Sequence, residues 1–150
     1  MAQRSQYQTV APAGMKALGG VYMYVARSGL PKDLVDLVYL RASQINGCAY
    51  CIDEHTRDLL KGGISVKKLM LVSAWREAGG VFSDRERAAL SWTEAVTLIS
   101  ETGAPDADYA AAAAYFNEKE LADLTIAIGL INAYNRIAIG FRRPPDPTTA

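Results

Sequence analysis

Two cysteines three positions apart, followed four residues later by the only histidine, are the residues of this sequence best equipped for chemistry: Cys48-Ala-Tyr-Cys51-Ile-Asp-Glu-His55. On a helix, positions i, i+3 and i+4 share a face, so both thiols and the imidazole can meet. If the helix starts just after Asn46-Gly47, the cysteines fall in its first turns. Free amide N–H groups and the positive end of the helix dipole lower a thiol's pKa there and favour a nucleophilic thiolate near neutral pH. His55, one turn beyond Cys51, is placed to exchange a proton with the Cys51 sulfur or with a bound water. A base of this kind works with an acidic partner. The acids nearest in sequence are Asp36 in the preceding helix and Asp53 and Glu54 beside the cluster, and spacing does not choose among them.

The same residues admit other uses. Cys48, Cys51 and His55 are three ligands of the type zinc takes, although a fourth would have to be a carboxylate or water. The cysteines could also be small buried hydrophobes and His55 a structural bonding partner. A non-catalytic redox sensor, switching shape when the dithiol closes, would need nothing more than the pair itself.

Composition narrows the choice. With 150 residues and 50% hydrophobic content, the chain supports one sizeable core. We expect one domain over residues 1–141 and a disordered or surface-draped proline-rich tail over 142–150. Sixteen basic residues balance sixteen acidic ones, which disfavours nucleic acid as a partner. The absence of an N-terminal apolar signal region, and of an apolar run of about 18 residues, points to a cytoplasmic protein with no membrane partner. In that reducing compartment a close cysteine pair suits catalysis or metal binding better than a structural staple. The pair also closes too short a loop to add much stability.

All the strong periodicity is helical, and the expected class is all-α with about six or seven helices. Met15, Leu18, Tyr22 and Val25 mark a first helix between Pro12 and Gly29. Pro31 opens a second that carries Leu34, Val35, Val38 and Ile45 up to Asn46-Gly47. A third, from Cys48 to Lys61, ends at Gly62-Gly63. Ser65 caps a fourth through Trp75, and Ser83 with Glu86 forms a capping box before Ala88 to Ile99. An alanine-rich stretch from Tyr109 to Phe116 precedes a second cap signal, Asn117 to Glu120. A long apolar helix through Ile139, buried on most faces, follows it. Trp75 and Trp92 read as core or subunit-contact residues, and Asn132, Asn135 and Arg136 as structural polar groups near such a contact. The apolar content of these helices favours a homo-oligomer.

The run Asp36-Leu-Val-Tyr-Leu-Arg-Ala-Ser-Gln-Ile-Asn-Gly-Cys48-Ala-Tyr-Cys51-Ile-Asp-Glu-His55 resembles the core motif of the AhpD-like alkylhydroperoxidases, within the carboxymuconolactone decarboxylase superfamily. The resemblance extends from about Pro31 to Glu101, through Ala74-Trp-Arg-Glu77 and Thr93-Glu-Ala-Val-Thr97, and includes Ile131-Asn-Ala-Tyr-Asn-Arg136 of the last helix. It implies an all-α fold assembling as dimers, trimers or hexamers. It also implies that Cys51 attacks a peroxide, that Cys48 resolves the sulfenic acid to a disulfide, and that His55 relays protons. An external dithiol, such as a lipoyl-bearing protein, would regenerate the pair, with no cofactor and no metal. Two positions depart from the family. Asp36 stands where the family has a relay glutamate, one methylene shorter, and Tyr50 stands where the best-studied members have histidine.

Overall fold

Caps written into the sequence set most helix boundaries. The computed structural model describes residues 2–147 and shows no strand among them. Its helices are α1 (Tyr7–Val10), α2 (Pro12–Ala26), α3 (Lys32–Asn46), α4 (Ala49–Lys61), α5 (Val66–Met70), α6 (Asp84–Thr97), α7 (Ile99–Thr102), α8 (Asp106–Ala113) and α9 (Glu118–Gly140). Short 3₁₀ segments at Val72–Glu77 and Gly79–Val81 link α5 to α6. Ser83 and Asn117 form the reciprocal capping boxes of α6 and α9 with Glu86 and Glu120, each satisfying amides that a helix start leaves unpaired.

Helix α3 is the centre of the molecule. It is buried from Leu34 through Leu40 and again at Ala42 and Ser43, because α4, α6 and α9 pack around it. Val35, Val38 and Tyr39 join a large apolar cluster with Ala89, Trp92, Leu124, Ile128 and Ile131, and both cysteines belong to it. Leu37 and Leu40 point instead into a second cluster, with Leu59, Val72, Trp75, Phe82 and Leu90. A helix serving two clusters can be apolar all round.

The helix expected from Ser65 through Trp75 is broken. Ser65 does cap it, accepting from the Lys68 amide, but regular helix ends at Met70 and Ala74 turns to φ −120°. Val72 and Trp75 are both needed inside the second cluster, and the Trp75 indole N–H donates to Glu94 Oε1 at 2.7 Å. These tertiary anchors outweigh the local preference for α-helix. Trp92 is likewise buried, its indole donating to Thr125. Helix α9, expected to be covered on most faces, buries one side and leaves Ile126 and Ile139 exposed.

After α9 the chain folds back. The Arg143 amide donates to Ala138 O, and the Arg4 amide donates to Phe141 O, so the segments either side of the helical core meet. Met1 and the last part of the expected tail, 148–150, lie outside the described residues. No helix among the described residues is long and apolar enough to cross a membrane.

Candidate active site

The turn between α3 and α4 places the cysteines. Gly47 adopts φ +71°; its amide donates to Gln44 O while the Cys48 amide donates to Ser43 O. This paired closure of a helix end needs a left-handed residue, which glycine supplies without steric cost. The chain therefore reverses within one residue, leaving Cys48 at the N-cap of α4 and Cys51 in its first turn. The two free thiols are buried, with their sulfurs 2.6 Å apart.

A hydrogen bond joins these sulfurs. The hydrogen bond to Cys51 is the main influence that pulls the Cys48 thiol down to about 7. The same bond, reinforced by burial, holds the Cys51 thiol well above its ordinary value. The pair thus loses its first proton easily and its second only with difficulty, as two strongly interacting sites must.

Asn135, treated above as structural, stabilises both thiolates. Its side chain hydrogen-bonds toward each sulfur and favours the charged form. The amide is fully buried and is held by donating to Ser43 Oγ and by accepting from Asn46 Nδ2. Asn46 Nδ2 also donates to Asn132, whose own amide reaches Thr97 and Ile128 O. The only sequence signal for this role was the run of polar residues on an apolar helix.

His55 is 8% exposed. Its Nδ1 is buried with no hydrogen-bond partner among the described residues, and the Tyr39 ring lies 5.0 Å away. Burial holds the imidazole down to about 4, so it is neutral near pH 7. Of the acids weighed from the sequence, Asp36 comes to His55. Ligand atoms of Asp36, His55 and Asp58 all lie within 4.8 Å of one another. Asp36 is buried, which raises its carboxyl pKa, and it pairs with Lys32 one turn earlier. Arg41, further along α3, pairs with Glu94. Asp53 pairs with Arg57. Asp58 was missed, although its place three residues after His55 was a signal for it.

A cavity of about 350 Å³ opens beside the pair. Cys51, His55 and Asp58 line it, and Cys48 does not. Its wall includes Tyr50, Glu54 and Tyr134, and Tyr7 and Arg143 close it from the two ends of the chain. The Arg143 guanidinium lies 3.8 Å over the Tyr50 ring and donates to the Tyr7 hydroxyl. On the far side of Asp36 and Asp58 is an open cleft of about 780 Å³ that Lys32 also lines.

A model of the carboxymuconolactone decarboxylase family matches residues 12–95. The chain belongs to that family. It is 37% identical to the uncharacterised protein YdfG of Bacillus subtilis, over 93% of this chain and 94% of that protein. The crystal structure of an Agrobacterium tumefaciens protein of unknown function, described as a candidate AhpD antioxidant-defence protein, is 43% identical. It superposes with a TM-score of 0.93 over 97% of this chain and 99% of that one. A peroxidase-related protein from Ralstonia eutropha, described as an alkylhydroperoxidase AhpD core, shares the fold at 20% identity. Its TM-score is 0.81, over 94% of this chain and 75% of that one. Family membership makes the fold AhpD-like and identifies the helix pair α3–α4, with its dithiol, as lying within the shared region.

Proposed function

We propose that this protein is a thiol-dependent peroxidase that reduces organic hydroperoxides through Cys51 and Cys48 in the cytoplasm. The observation that carries this reading is the position of two sulfurs 2.6 Å apart at the start of α4, with only Cys51 facing the cavity that also holds His55.

Cys51 passes its proton to the Cys48 thiolate through their hydrogen bond, and the Cys51 thiolate so formed attacks the distal peroxide oxygen. The O–O bond breaks, Cys51 becomes a sulfenic acid, and the alkoxide leaves as an alcohol on taking up a proton. Neutral His55 carries that proton from solvent or from the acids beside it, in the role of general acid and base. Asp36 orients the ring across a gap that a water can bridge. Cys48 then attacks the Cys51 sulfur, expelling water and forming the disulfide. An external dithiol, of the lipoyl type, reduces the disulfide by exchange. In sum, one hydroperoxide and one dithiol give an alcohol, water and a disulfide.

The test is consumption of an alkyl hydroperoxide by the purified protein with dihydrolipoamide as reductant. Cys51→Ser should abolish turnover. Cys48→Ser should leave a sulfenic acid or mixed disulfide at Cys51, visible by mass spectrometry. Equal residual activity in the two variants would sink the assignment of roles, and a disulfide that forms without turnover would mark a sensor instead.

A further inference from the structure

The group formed by Asp36, His55 and Asp58 has a composition that proton relay alone does not require. Three potential donors, two carboxylates and an imidazole, converge within 4.8 Å of one another. His55 is only 8% exposed, and its Nδ1 is buried with no hydrogen-bond partner among the described residues. A buried, unpaired nitrogen is costly to keep unless something completes it. The two carboxylates lie close together, and Lys32 pairs with Asp36. The Lys32 side chain is 72% exposed and attached one helical turn away, so it can swing into solvent and release the Asp36 oxygen.

We propose that Asp36, His55 and Asp58 form a binding site for a first-row divalent cation of the zinc type, entered from the open cleft between α3 and α4. Bonds of 2.0–2.2 Å to nitrogen and oxygen put the donors of such an ion roughly 3 to 4.3 Å apart. The donors here lie within 4.8 Å of one another, close to that range. One imidazole with two carboxylates suits zinc, cobalt or manganese better than calcium or magnesium, which favour oxygen alone. The cleft lined by Asp36 and Asp58 leaves room for water to complete the coordination. The thiols stay outside the set: among the described residues no cysteine sulfur joins these donors, in contrast to the Cys48, Cys51 and His55 grouping considered from the sequence. A second consequence rests on the peroxidase reading. A cation on the His55 nitrogen takes the lone pair that would move the proton, so zinc would slow turnover reversibly while the thiols remained reactive.

The site can be tested without any peroxidase activity, in a Cys48→Ser/Cys51→Ser protein that has no thiols to compete for metal. His55 is the only histidine, so its ring ¹⁵N signals are unambiguous by NMR. Zinc chloride should shift one ring nitrogen with a stoichiometry of one. Cobalt chloride should give weak visible bands without the strong near-ultraviolet absorption of sulfur ligation. Asp58→Asn should weaken binding by about tenfold or more, since even outer partners of metal ligands cost that much when removed. Asp33→Asn, in the same cleft but outside the set, should leave binding unchanged. Ring nitrogens unmoved at saturating zinc, or equal affinity in Asp58→Asn, would overturn the site. Zinc binding with no effect on turnover would leave the site standing and remove its link to the relay.

Discussion

At the scale of single residues, the dithiol behaves as one titrating unit, and this has a consequence for stability. The Cys48 thiol is lowered from 9.0 to about 7 on folding, so the folded protein gives up its first thiol proton before the unfolded chain does. Reduced protein should gain stability as pH rises from about 7 to about 9 and lose that gain as pH falls back through 7. Above about 9 the held-up second proton, on Cys51, should reverse the trend. Urea midpoints of reduced protein across this range should show the rise, and Cys48→Ser should not. Asn135→Ala should raise the pH at which one thiol reacts with iodoacetamide above about 7. It should also cost about 1–3 kcal/mol, because the substitution strands buried partners at Ser43 and Asn46. The grouping of the cysteines and the histidine was legible in the sequence because all three residues lie within two helical turns. Asn135 was not, because its amide reaches Ser43 across 92 residues and nothing local announces which face of α9 it shares.

At the scale of elements, the junction of α3 and α4 positions both thiols. An added Cβ at Gly47 meets no atom within 4 Å, so the penalty for Gly47→Ala is conformational alone, the roughly 1–2 kcal/mol of forcing an L-residue left-handed. We expect a loss of that size in chemical denaturation, with a larger proportional loss in peroxide turnover as Cys48 moves off the N-cap. The glycine, both capping boxes and the run of α3 were readable, since each is a local device with its own residue signature. The break after Met70 was not. It is imposed by Trp75 and Glu94 from a distance, against a sequence that locally favours continued helix. Trp75→Phe, which keeps the ring and removes the indole donor, should cost about 1–3 kcal/mol by leaving the half-buried Glu94 carboxylate one partner short.

At the scale of the whole molecule, several large apolar side chains have no cover. Met70 is 75% exposed, Val66 61% and Ile99 56%, and Met23 and Tyr24 of α2 are also exposed. Apolar surface in this amount favours self-association. We expect sedimentation at a mass of two or more chains, with dissociation when Met23 and Tyr24 are replaced by serine and glutamine. A monomer at micromolar concentration would refute this. The even balance of charges, readable from composition, fits such association, since no net repulsion opposes it.

Tyr7 and Arg143 come from opposite ends of the described chain and meet over the Cys51 cavity. Synthesis proceeds from the N-terminus, so α3 and α4 exist, with their paired thiols, well before Asn135 and Arg143 have been made. Throughout that interval the nascent chain has the sulfurs but neither the amide that stabilises the thiolate nor the walls that select what reaches it. An unfinished molecule therefore has the thiol pair without the Asn135 amide beside it or the Tyr7–Arg143 contact over its cavity.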